Sequence, residues 1–67
     1  MFTVTAICNG MEVGHGEGEG YQYAMEEAVE SIPKGLFEVD DVVLVARNDD
    51  GMTVETQLRA WYWANVQ

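Results

Sequence analysis

A chain of 67 residues makes a single compact domain over 1–67, and at this size folding buries only about 60% of the unfolded surface, so the core is thin. Its 12 acidic residues against 3 basic ones give a formal charge of −9, which excludes direct binding to nucleic acid or to an anionic membrane surface for want of cations to meet phosphates. A hydrophobic share of 48% excludes a disordered chain.

Phe2 to Cys8 alternates β-branched and apolar residues: Phe2, Val4, Ala6 and Cys8 share one face, and Thr3, Thr5 and Ile7 the other. This pattern predicts a half-buried strand. Asn9-Gly10 predicts a two-residue hairpin turn, because both central residues of that turn need positive φ. Met11 starts the returning strand. From Gly14 to Gly20 every second residue is glycine, so an extended chain would put all four on one face and His15, Glu17 and Glu19 on the other, beside Met11 and Val13. A face without side chains admits a helix or an indole ring close to the backbone, and the strand is expected to fade near Glu17; the alternative is a flexible loop, because glycine loses the most entropy on ordering.

A helix is predicted from about Tyr21 to Ser31, with Tyr21, Ala24, Met25, Ala28 and Ile32 as its apolar stripe. Gln22, Glu26, Glu27 and Glu30 lie largely off that stripe. Glu26 and Glu30 repel each other, and Gly20 is a poor cap, so packing must hold the helix. Pro33 ends it, with Lys34 near its negative end and Gly35 giving the chain room to turn.

Leu36-Phe37 reads as a short apolar anchor and Glu38 to Asp41 as an acidic approach. Val42 to Ala46 is the most apolar run and predicts a central strand. Asn48-Asp49-Asp50-Gly51 predicts a second turn. Residues 52–63 are expected to form the fourth strand, with Arg59, Trp61 and Trp63 on one face. The expected fold is therefore α+β: ββαββ, a four-stranded antiparallel sheet with one helix packed on one face.

Motifs for chemistry fail on inspection. The glycine run does not fit Gly-x-Gly-x-x-Gly, no Lys-Ser or Lys-Thr follows it, and Glu17 and Glu19 would repel a phosphate. A calcium loop aligned on Gly51 would begin at Ala46 and end at Gln57, both wrong. His15 and Cys8 should lie apart on the hairpin, His15 pairing near Val4, and a lone His and Cys make neither a triad nor a zinc site. No cofactor and no metal are expected, and the chain is read as non-enzymatic. Cys8 cannot form an intrachain disulfide, there is no signal-peptide pattern, and no apolar run approaches the roughly 18 residues of a membrane span; a cytoplasmic protein is expected.

Two features remain. One is an acidic surface, Glu17, Glu19, Glu26, Glu27 and Glu30 with Glu38, Asp40 and Asp41, which would imitate nucleic-acid phosphates and occupy a basic groove on a protein partner. The other is the Arg59, Trp61 and Trp63 face, rich in residue types that dominate interfaces. In size, charge and lack of catalytic residues the chain resembles the small inhibitors encoded by phages and mobile elements, including anti-CRISPR and anti-restriction proteins; the likeness is one of type and no motif carries it. The expected function is a small acidic protein-interaction module, an inhibitor of a host nucleic-acid-binding defence protein. The alternative is a self-assembling subunit, a homodimer or phage-particle component, that uses the Trp61/Trp63 sheet face.

Overall fold

The structure, a computed structural model, describes residues 1–33 and 42–65. The expectations for Lys34, Gly35, Leu36-Phe37 and Glu38 to Asp41 lie outside the described residues. The elements are β1 (Phe2–Cys8), β2 (Met11–Gly18), α1 (Tyr21–Ser31), β3 (Val42–Asn48), β4 (Thr53–Gln57) and α2 (Leu58–Asn65). The strands form one open antiparallel sheet in the order β2-β1-β3-β4. The two hairpins therefore meet through β1 and β3.

The first turn is the one the sequence demands: Asn9 and Gly10 have φ of 54° and 80°. In the second, the Asn48 side-chain oxygen accepts from the backbone nitrogens of Asp50 and Met52, both at 3.0 Å, while Gly51 sits at φ 83°. A bulge lies in β2. Ala6 pairs with Gly14 but Ile7 pairs with Glu12, which leaves Val13 as the extra residue. Val13 packs against the core, and His15 slips one position to pair with Thr5, not Val4.

The bulge leaves Gly14, Gly16 and Gly18 opposite Ala6, Val4 and Phe2, on the side where α1 lies. The approach is as close as glycine permits. A Cβ at Gly16 would overlap the Ala28 amide nitrogen and the Ala24 carbonyl oxygen, and one at Gly14 would stand 2.7 Å from Ile32 Cγ1. The glycine face thus receives the helix, not an indole. Ala24 and Ala28, small and fully buried, complete that seam, and Met25 is fully buried in the same core. Tyr21 meets Phe2 edge-to-face at 5.6 Å between ring centroids.

The core lies on this one side: Val4, Ala6 and Cys8 of β1, Val42, Leu44 and Ala46 of β3, the α1 stripe with Val29 and Ile32, and Leu58 and Trp61. These last two correct the expected fourth strand. Pairing with β3 stops at Gln57, and 58–65 form a second helix. Leu58 and Trp61, three apart, share one side of it and are buried, so apolar burial at helical spacing wins over the alternation that had favoured a strand.

Candidate interaction surface

Helix α2 dissolves the expected Arg59, Trp61 and Trp63 face. At about 100° per residue a helix sets positions 61 and 63 about 200° apart. Trp61 is 8% exposed and belongs to the core, whereas Trp63 is 66% exposed. Arg59 and Trp63, four apart, keep a common side of the helix.

The acidic residues are divided as well. Glu26 and Glu30 are exposed on α1, and Glu27 is half-buried over β2. Glu19 is exposed in the connection from β2 to α1. Glu17 pairs with Thr3 and so projects from the opposite side of the sheet. The structure brings Glu26, Glu27 and Glu30 together and does not bring Glu17 to them. Tyr23 joins the helix group. Its hydroxyl bonds to Glu27, and that bond, then the charge of Glu27, holds the phenol above its usual 10.0, with smaller contributions from burial and Glu30.

Cys8 and His15 are also separated. Cys8 is buried on the helix side, and His15 projects from the other side, where its Nε2 lies 3.1 Å from Glu17 Oε1. Among the described residues no group of His, Cys, Asp or Glu is arranged to hold a metal ion. Among them, too, no helix is long and apolar enough to cross a membrane.

What the sequence reasoning missed is the sheet's second face. The ladders arrange its side chains in rows across the four strands: Glu17, Thr3, Arg47 and Thr53; His15, Thr5, Val45 and Glu55; Glu12, Ile7, Val43 and Gln57. The middle of this array, Thr3, Thr5, Ile7, Val43 and Val45, is half-buried. The flanks are exposed and polar or charged: Glu12, His15 and Glu17 on β2, Arg47 at the end of β3, and Thr53, Glu55 and Gln57 on β4. Among the described residues no helix packs on this side; both helices contribute to the core on the other. The molecule is correspondingly thin, 16 Å along its shortest axis.

Thr3, Thr5, Ile7, Val45 and Arg47 line an open depression of about 340 Å³ on this face. Its lining is mostly β-branched, with the Arg47 guanidinium at one end. The signal was present in the sequence. Val43 and Val45 are apolar at positions that alternate away from the helix, and one amphipathic helix covers one side only. No family model matches the chain, and neither a curated protein nor a solved structure matches it.

Proposed function

We propose that this chain is a non-enzymatic, cytoplasmic protein-interaction module that docks on a basic surface of a protein partner through the uncovered face of its sheet. The observation that carries the reading is the array itself: an uncharged β-branched strip between charged margins, on a molecule of formal charge −9. Interfaces commonly have this composition, with charge depleted at the centre and polar groups at the rim. Glu12, Glu17 and Glu55 give the rim more negative than positive character, although Arg47 and His15 share it.

Glu26, Glu27 and Glu30 act from the opposite side, where they strengthen the field that draws a basic partner in. In its narrower form the partner is a host defence protein whose basic groove otherwise holds nucleic acid, and the module is its inhibitor. The test is capture from host lysate on immobilised protein. The expected result is retention of a basic protein that DNA displaces. Val45→Lys should abolish retention, whereas the triple change of Glu26, Glu27 and Glu30 to Gln should slow association and leave the complex intact. Retention of nothing, or retention indifferent to Val45→Lys, contradicts the proposal.

A second reading, self-assembly as a homodimer or particle subunit, draws on exposed Trp63 rather than on a Trp61/Trp63 sheet face. Light scattering separates the two: a stable oligomer lost on Trp63→Ala favours assembly.

A further inference from the structure

The two edges of the sheet are finished differently. Along β2, the bulge at Val13 breaks the regular ladder, α1 lies against the glycines, and the His15 amide donates to Ser31 Oγ at 2.7 Å. The same hydroxyl donates to the Ala28 carbonyl at 2.8 Å, so helix and edge strand are tied together. These are the usual protections of an edge against further pairing. The other edge, β4, lacks them. Its register with β3 runs without a shift from Thr53 to Gln57, and among the described residues it pairs with β3 alone. Thr53, Val54, Glu55 and Gln57 are exposed.

The ladder shows which backbone groups face outward. The Asn48 amide donates to the Met52 carbonyl at 3.1 Å, so these two form a bonded pair. Bonded and non-bonded pairs alternate in an antiparallel ladder. Val54 and Thr56 therefore bond inward to Ala46 and Leu44, and the N–H and C=O groups of Thr53, Glu55 and Gln57 point away from the sheet. Their side chains stand at the margin of the uncovered face. A strand laid along β4 would both satisfy the backbone groups and extend that face.

We infer that the outer edge of β4 accepts an extended basic segment of the partner protein as an added strand. The inference rests on the protein-interaction reading and names the mode and chemistry of that contact. A second copy of the chain is the less suitable occupant. Antiparallel pairing over the whole strand centres on Glu55 and sets it opposite Glu55 of the other copy, and each copy carries a charge of −9. A lysine or arginine opposite Glu55 reverses the sign of that contact, and exposed Asp50 extends the acidic character to the hairpin tip, where Asp49 is paired with the N-terminal ammonium at 2.9 Å. Arg47 stands one strand further in, opposite Thr53, and favours placing the basic residues toward Glu55.

The test uses the whole chain, isotopically labelled, and a capped peptide alternating lysine with valine as the probe. At saturation, amide hydrogen exchange at Thr53, Glu55 and Gln57 should slow by about tenfold or more. The same peptide methylated on its bonding amides, or with glutamate in place of lysine, should give no protection. Glu55→Pro removes an outward donor from an edge strand while sparing the bonds to β3. In that variant the peptide should no longer protect Thr53 and Gln57. If the variant fails to fold, the methylated peptide on the unaltered protein decides. The inference falls if unmethylated and methylated peptides protect equally, or if the probe leaves these amides unchanged. Shifts confined to Thr5 and Val45 would sink the edge and leave the protein-interaction reading standing, since that reading fails separately, when native protein retains no partner.

Discussion

Gly16 is the residue on which the packing of helix against sheet depends most. The backbone of α1 occupies the place a side chain would take. Gly16→Ala must therefore push the helix outward, and should cost about 2 kcal/mol in urea unfolding. Gly20 has open space around it, and Gly20→Ala should cost under about 1 kcal/mol. Equal effects would show that the seam is looser than described. Tyr23 gives a second handle. Its folded pKa lies above 10.0 because of Glu27, so the folded state keeps this proton longer than the unfolded one. The corresponding stability is complete below the ordinary tyrosine value and is lost as pH rises through the raised one. Ultraviolet titration should show a late-ionising tyrosine, and Glu27→Gln should move that ionisation to lower pH.

At the scale of elements, most of the chain was legible because its local signals agree. β1 alternates, Asn9-Gly10 permits one kind of turn, and the stripe from Tyr21 to Ile32 has helical period and ends at a proline. Two elements were not legible, for different reasons. The bulge at Val13 comes from the fit of β2 between β1 and α1, which no residue in the strand announces. The second helix was hidden because residues 52–63 also alternate, and because Trp and Tyr favour strands. Only the burial of Leu58 and Trp61 against the existing core chooses between the two periods. Trp61→Ala should therefore cost about 3–5 kcal/mol, and Trp63→Ala within about 0.5 kcal/mol. Fluorescence should place Trp61 in a dry environment and Trp63 in water; two equally wet indoles would favour the strand. Ser31→Ala removes the acceptor for the His15 amide, and should speed exchange of that amide while costing about 1 kcal/mol.

The described residues make two layers with the core between them, and none of their helices packs on the second sheet face. The sequence showed the excess of carboxylates but not how it divides. Only the fold puts Glu17 and Glu55 on one side of the sheet and Glu26 and Glu30 on the other. The candidate site was accordingly half legible: its charge could be read from composition, whereas its centre, Thr5 and Val45, became visible only once β1 and β3 were known to be neighbours. The proposed division of labour, contact from the sheet and attraction from the helix, is a claim about place. A photo-reactive residue introduced at Val45, and separately at Glu26, tests it most directly against the captured partner. Adducts from position 45 and none from position 26 are expected; adducts from 26 alone would mean that the partner sits on the helix and that the sheet face is not the binding surface.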